Sequence, residues 1–134
     1  MNWLFKEEPS NYSYDKFALD KKTVWSGVRN PVAQRNLRSV KKGDLVFYYH
    51  TGNEKSVVGI AKAARDAYPD PDDKAGKAYV AEIVPVKKLK RPVTLAEIKA
   101  DAFFKDFALV RISRLSVMPV TDAQWKKIEQ MSLG

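Results

Sequence analysis

The sequence predicts an α+β fold with a strongly bent, mostly antiparallel sheet or a small barrel flanked by short helices. Segments rich in β-branched and aromatic residues, typical of strands, alternate with short segments that begin at helix-capping residues. Residues 45–50, LVFYYH, are almost all apolar, which indicates a strand in the middle of the sheet. At 134 residues the chain can build one real core, and no repeat or linker divides it. We therefore expect a single domain over residues 1–134.

Turn-forming residues separate the other extended segments. Gly59 allows a bulge or a close crossing within one of them, and Pro85 implies an edge or a bend in another. Proline and aspartate mark residues 68–76 as a loop. The remaining strands or extended segments are predicted over residues 2–6, 23–25, 56–66, 78–89 and 111–120.

Capping patterns predict where the helices begin. Thr94 with Glu97 three residues later forms a capping box, and Pro31 suits the first turn of a helix because its missing N–H is not needed there. In the last helix, Trp125 has the spacing of a buried stripe and is predicted to belong to the core. The predicted helices cover residues 14–21 after Ser13, 31–40, 95–100, a short turn within 102–109, and 122–131 after Thr121.

Charge and the scarce metal-binding residues limit the possible functions. Lysine and arginine outnumber aspartate and glutamate by 24 to 16, a net charge of +8, which favours nucleic acid or another polyanion as partner. With no cysteine there is no disulfide framework, thiolate nucleophile or cysteine-based zinc site. His50 is the only histidine, so a multi-histidine metal centre is excluded as well. We expect no cofactor and no catalytic metal.

The apolar segments are short throughout the sequence. The first residues, MNWLFKEE, lack the hydrophobic segment of a signal peptide, and no later run has the length of a membrane span. We expect a soluble, monomeric, cytoplasmic protein with no membrane partner.

Groups suited to ligand recognition concentrate in residues 25–38. Trp25 offers a stacking face, Gly27 permits close backbone approach, and Asn30 presents a donor beside an acceptor. Arg29 and two further arginines add charge and planar surface, so the segment suits a planar, nucleotide-like ligand. The alternative is that Trp25 is a core residue, as a single tryptophan before a helix often is.

Six ordered blocks of the sequence resemble the EVE domain family of the PUA-like superfamily. They are WLFKEEPS (3–10), WSGVRN (25–30), GDLVFYYH (43–50), AYPDP (67–71), KRPVTLAE (90–97) and SRLSV (113–117). The resemblance implies a PUA-like pseudo-barrel flanked by helices, with a pocket for a modified base flipped out of DNA or RNA. It differs from the usual family pattern at Glu7, Ser26, Thr51 and Arg35. The loop of residues 69–77 also looks short and lacks a tryptophan.

Carried over by position, the resemblance implies a specific base-binding set. Its members come from the first strand, the Trp25 segment, the end of the central strand, the loop, and residues 114–116. They are Lys6, Trp25, Ser26, Gly27, Val28, Arg29, Asn30, His50, Thr51, Tyr68, Arg114, Leu115 and Ser116.

The leading functional hypothesis is a nucleic-acid-binding module in which Trp25 stacks on an extruded, modified base. Basic residues would form the rim of this pocket and hold the neighbouring phosphates. An alternative is an enzyme acting on a nucleotide or nucleic acid with His50 as general base, although no nucleophile elbow, P-loop or metal-ligand cluster accompanies it. A third reading is an RNA-binding module indifferent to modification, or a protein-interaction module. The phosphate-binding candidates are Arg35, Arg38, Lys87, Lys88, Lys90 and Arg91.

Overall fold

A bent sheet organises the chain in a computed structural model that describes residues 1–134. Its strands are β1 (Asn2–Glu7), β2 (Thr23–Trp25), β3 (Leu45–His50), β4 (Ser56–Ala63), β5 (Tyr68–Pro69), β6 (Tyr79–Thr94) and β7 (Val117–Val120). The helices are α1 (Pro9–Tyr12), α2 (Tyr14–Asp20), α3 (Pro31–Arg38), α4 (Leu95–Ala100), α5 (Ala108–Arg111) and α6 (Asp122–Leu133), with a 3-10 turn at Ala102–Phe104.

The strand order is β2-β6-β4-β3-β1-β7, and β5 pairs with β6 beside this path. Every pairing is antiparallel except that of β1 with β3. Strand β6 is 16 residues long and pairs with β2 over Ala81–Ile83 and with β4 over the longer stretch that follows. One long strand thus bends the sheet into a half-barrel with short helices around it. The predicted PUA-like α+β pseudo-barrel is confirmed.

The core joins aromatic side chains that lie far apart in the sequence. Trp125 of α6 stacks on Phe47 of the central strand, with ring centroids 3.6 Å apart and planes 12° from parallel. Trp125 is 5% exposed, so its predicted place in the core is confirmed. Strand β3 lies between β1 and β4, as its apolar composition predicts.

Gly59 lies where two elements approach closely. A Cβ atom at this position would be 2.4 Å from the ring of Tyr14, which no real contact tolerates. The Tyr14 hydroxyl donates to the carbonyl of Ile60 at 2.8 Å, and the register of β4 against β6 shifts between Val57 and Gly59. The prediction of a bulge and a close crossing at Gly59 is therefore confirmed.

The caps form as predicted. The side chain of Ser13 accepts from the Lys16 amide, and Thr94 and Thr121 each form a capping box. Each cap satisfies backbone donors that a helix start otherwise leaves open. These bonds explain why short helices begin where the sequence indicates.

Several segments differ from the prediction. Helix α1 forms where no helix is predicted, and the first two residues of the predicted loop over 68–76 pair with β6 as strand β5. Strand β4 ends at Ala63 instead of residue 66.

The extended arm over residues 111–120 is wrong for its first part, because helix α5 ends at Arg111 and extended pairing is confined to Val117–Val120. Strand β6 continues to Thr94 instead of ending near residue 89, since β4 supplies partners as far as Ser56. No helix in the structure is long and apolar enough to cross a bilayer.

Candidate nucleic-acid interface

Trp25 ends strand β2 and packs into the aromatic core. Its ring lies 5.3 Å from that of Phe5 and 5.4 Å from that of Tyr48, centroid to centroid, with the Tyr48 ring perpendicular to it. Trp25 is only 6% exposed. Trp25 is therefore a core residue, as the alternative reading holds, and it also forms the wall of a cavity. Its stacking on a base stays a prediction.

The cavity beside Trp25, called the Trp25 hollow below, has a volume of about 320 Å³. Polar side chains dominate its lining, and Glu7 is the one charged residue among them. No lysine or arginine lines it, so the basic rim expected around Trp25 is not part of this cavity. The lining residues are Glu7, Asn11, Tyr12, Thr23, Val24, Trp25 and Ser26.

Glu7 also influences the core behind the hollow. The pKa of the Tyr48 phenol lies well above its ordinary value, first because the ring is buried and second because of the nearby charge of Glu7. The Tyr48 hydroxyl donates to the backbone carbonyl of Tyr12. Tyr48 therefore stays a neutral donor and holds the end of α1 against the sheet.

Residues 27–29 line a second cavity, called the loop hollow, whereas Trp25 and Ser26 line the Trp25 hollow. The loop hollow measures about 530 Å³ and combines two cations with two carboxylates. Gly27 has φ +76, a left-handed conformation that glycine adopts without strain. The lining residues are Gly27, Val28, Arg29, Gln34, Asp70, Asp73, Ala75, Lys77 and Ala78.

Two side chains fix the shape of the loop hollow. The Gln34 amide donates to the Val28 carbonyl at 2.7 Å and accepts from the Tyr79 amide at 2.9 Å. The Asp73 carboxylate accepts from the backbone amides of Ala78 and Lys77 at 2.7 and 2.9 Å, and these bonds lower its pKa. Asp73 is thus committed to the loop, whereas Arg29 and Lys77 make no ion pair.

Asn30 caps α3. Its side-chain oxygen accepts from the amides of Val32 and Ala33 at 2.9 and 3.1 Å. This bonding occupies the acceptor, so only the amide NH₂ remains to meet a ligand.

Lys6 lines a third cavity, of about 270 Å³, called the lysine hollow. Side chains alternate along a strand, so Phe5 and Glu7 face Trp25 while Lys6 faces the opposite side. The Lys6 ammonium donates to the Ser113 carbonyl at 2.9 Å and lies 5.7 Å from the centre of the Tyr49 ring, and burial lowers its pKa. The lining residues are Lys6, Tyr49, Thr51, Gly52, Lys55, Leu95, Lys99, Leu109, Val110 and Ser113.

The lysine hollow is basic without acidic partners. Lys6, Lys55 and Lys99 make no ion pair, and no carboxylate lines the cavity. Glu8 lies just outside, where its carboxylate accepts from the Thr51 hydroxyl at 3.3 Å. A neighbouring cavity of about 430 Å³ shares Lys55 and Lys99, with Glu54 as its one acidic lining residue.

His50 is held by both ring nitrogens. Nε2 accepts from the backbone amide of Tyr14 at 3.0 Å, and Nδ1 lies 3.0 Å from a carboxylate oxygen of Glu54. Because Nε2 acts as an acceptor, the proton sits on Nδ1 and is donated to Glu54. The ring is 7% exposed and has no free nitrogen with which to act as a general base.

The remaining base-binding candidates do not line the Trp25 hollow. The guanidinium of Arg65 lies 4.0 Å from the centre of the Tyr68 ring, while Leu115 is buried. The Ser116 carbonyl accepts from the Lys6 amide, and Arg114 is exposed.

The phosphate-binding candidates divide into engaged and free groups. Lys88 pairs with Asp15 at 2.9 Å. Arg91 donates to Glu97 at 2.9 Å and to the Met131 carbonyl at 2.6 Å, and its guanidinium lowers the pKa of Glu97 to about 2. Arg38 lies over the Tyr79 ring at 4.8 Å. Four of the candidates, Arg38 included, are exposed and make no ion pair; the others are Arg35, Lys87 and Lys90.

Sequence reasoning missed several lining residues. Tyr12 and Thr23 reach the Trp25 hollow from α1 and β2, and Lys55 and Lys99 reach the lysine hollow. The alternation along β1 would have separated Glu7 from Lys6, whereas no local pattern indicates which loops close over them.

Solved structures of similar proteins share this fold closely. A Rhodopseudomonas palustris protein solved by NMR is 44% identical, with 98% of this chain and 92% of that chain covered and a TM-score of 0.93. Human thymocyte nuclear protein 1, crystallised in complex with DNA containing 5-methylcytosine, is 26% identical over 99% of this chain and 98% of that chain, with a TM-score of 0.90.

The curated human thymocyte nuclear protein 1 sequence is 28% identical over 158 aligned residues, which cover 92% of this chain and 70% of that protein. The family model described as the EVE domain matches residues 1–131. With the bent sheet, the ordered motifs and this match in agreement, the chain belongs to the EVE domain family.

Proposed function

We propose that this protein is a nucleic-acid-binding module that accommodates a modified base in the Trp25 hollow. The observation that carries the proposal is the lining of this cavity, which has one wall formed by an indole and most of the remainder formed by polar side chains. Such a lining suits a planar ring that needs both contact area and hydrogen bonds. The complex of the human relative with DNA containing 5-methylcytosine supports the same ligand class.

The phosphates are proposed to contact basic groups outside the Trp25 hollow. Arg29 and Lys77 border the loop hollow next to it along the chain, and Lys6, Lys55 and Lys99 border the lysine hollow. None of these five makes an ion pair, so their charge is available to a polyanion. A binding role fits this distribution better than a catalytic one, because both nitrogens of His50 are occupied.

Filling the cavity tests the base-binding step without disturbing the core. Ser26 is exposed and lines the Trp25 hollow, so Ser26→Phe should occupy the space of the base. Since base stacking contributes about 1–3 kcal/mol, affinity for a short DNA with one 5-methylcytosine should fall roughly ten-fold. Fluorescence anisotropy with matched DNAs carrying cytosine or 5-methylcytosine measures both affinity and preference.

Ser39→Phe is the matched control, because Ser39 is also exposed but lines none of the cavities. Unchanged affinity in Ser26→Phe, or an equal loss in both variants, would overturn the placement of the base. Equal binding of both DNAs by the wild type would favour a module indifferent to modification.

A further inference from the structure

Glu7 is an unpaired carboxylate inside the Trp25 hollow. It is the only charged residue that lines the cavity, and no lysine, arginine or histidine lies within ion-pair distance of it. A carboxylate facing a polar cavity without a cation needs hydrogen-bond donors. A ligand that fits this cavity must therefore offer a hydrogen-bond donor to the Glu7 carboxylate.

One oxygen of this carboxylate is already in use. Oε1 accepts from the backbone amide of Glu8 at 2.8 Å, which fixes the side chain at the end of β1. No hydrogen bond within the protein engages Oε2. The fixed carboxylate thus has one oxygen left for a donor from outside.

Tyr12 adds to the acceptor character of the cavity. Its hydroxyl donates to the Asp20 carboxylate at 2.8 Å, so the phenolic oxygen presents lone pairs and no proton to the hollow. The fixed polar groups, Glu7 and Tyr12, therefore both accept. Asn11 and the hydroxyl of Ser26 can adapt to either role, whereas the Thr23 hydroxyl is hydrogen-bonded to that of Tyr12.

From this arrangement we infer that Glu7 selects bases with an exocyclic amino group, cytosine and 5-methylcytosine, over thymine and uracil. The N4 amino group of cytosine is a donor, and a glutamate carboxylate is a natural acceptor for it. Thymine has the same 5-methyl group and almost the same shape, but presents the O4 carbonyl at that position. Facing a carboxylate, this oxygen is repelled and left without a donor. The inference rests on the proposed function and names the edge of the base that the site reads.

Comparing 5-methylcytosine with thymine tests the contact at position 4 of the base alone, because both bases carry the 5-methyl group. Short single-stranded DNAs identical except for one base, which is cytosine, 5-methylcytosine, thymine or uracil, are titrated against the full chain by fluorescence anisotropy. The wild type should bind the 5-methylcytosine DNA about ten-fold more tightly than the thymine DNA, within the range of one good base-edge contact. In Glu7→Gln, whose amide can donate to O4, this ratio should fall to near one.

Glu8→Gln is the matched control. It removes the same negative charge from the adjacent residue, which does not line the Trp25 hollow. Both variants should gain some affinity for every DNA through charge alone, and only Glu7→Gln should lose the selectivity. Equal wild-type affinity for thymine and 5-methylcytosine DNA, or an unchanged ratio in Glu7→Gln, overturns the inference while leaving nucleic-acid binding intact. Failure to bind any of the four DNAs overturns the proposed function and the inference with it.

Discussion

The Trp25 hollow and the lysine hollow lie on opposite faces of the same strand, and their charges are opposite as well. Glu7 is the only charged residue of the first cavity, whereas Lys6, its neighbour along β1, faces the second together with Lys55 and Lys99. The two-residue repeat of a strand is enough to separate these chemistries. A single strand can therefore supply an acceptor for a base on one face and cations for phosphates on the other.

Removing the wall of the Trp25 hollow should have the largest effect. Trp25→Ala deletes a buried indole that packs on Phe5 and Tyr48, so the free energy of unfolding should fall by about 3–5 kcal/mol. Urea denaturation monitored by circular dichroism measures this loss. Val24→Ala is the control, because Val24 lines the same cavity but is 44% exposed and should change stability little. A loss below about 1 kcal/mol in Trp25→Ala would show that the indole is not a structural wall.

An intermediate effect is expected from the opposite face. Lys55 and Lys99 line the lysine hollow without ion pairs. The double variant Lys55→Ala with Lys99→Ala should therefore weaken the salt dependence, so that the magnitude of the slope of log affinity against log salt falls by about 1–2. The measurement is DNA binding over a series of salt concentrations.

The matched control for this pair is Lys105→Ala with Lys126→Ala, two exposed lysines that line none of the cavities. Its slope should stay close to that of the wild type. Equal slopes in both double variants would mean that nucleic acid does not contact the lysine hollow.

The smallest effect concerns the protonation of Lys6. Burial lowers the pKa of its ammonium in the folded state below the ordinary 10.5, so the unfolded chain holds this proton more tightly. The free energy of unfolding of the wild type, relative to that of Lys6→Met, should therefore rise with pH between the folded-state pKa and about 10.5. In this range folding no longer has to bury a charged ammonium, because Lys6 of the folded protein has lost its proton. Urea denaturation of both proteins across this range tests the sign. A difference that falls with pH would place the ammonium in a charge-stabilising environment instead.

Local chemistry predicted much of the fold. Ser13, Thr94 and Thr121 indicated helix starts because a cap is made by neighbouring residues. Strand order was out of reach, since the pairing of β1 with both β3 and β7 joins residues more than 40 and more than 110 positions apart. The arm before β7 was misassigned for a related reason, because the residues after Arg111 carry no local signal that separates a loop from an unpaired strand.

The candidate site was less accessible to sequence reasoning. A single motif, WSGVRN, is divided by the fold between the Trp25 hollow and the loop hollow, and Lys6 lies on the face opposite to Trp25. His50 illustrates the same limit, because its Nε2 bond comes from the amide of Tyr14, 36 residues away. Residue types showed which groups can bind, and the placement of each group depended on contacts that only the tertiary structure supplies.

The pairing of β1 between β3 and β7 has a consequence for how the protein is made. Of the strands described, β1 is synthesised first, and it finds one neighbour at residues 45–50 but its other neighbour only at Val117–Val120. Its second edge stays open until β7 has been made, and an open edge is a template for pairing between nascent chains. Strand β7 thus completes the sheet and shields β1 from such association.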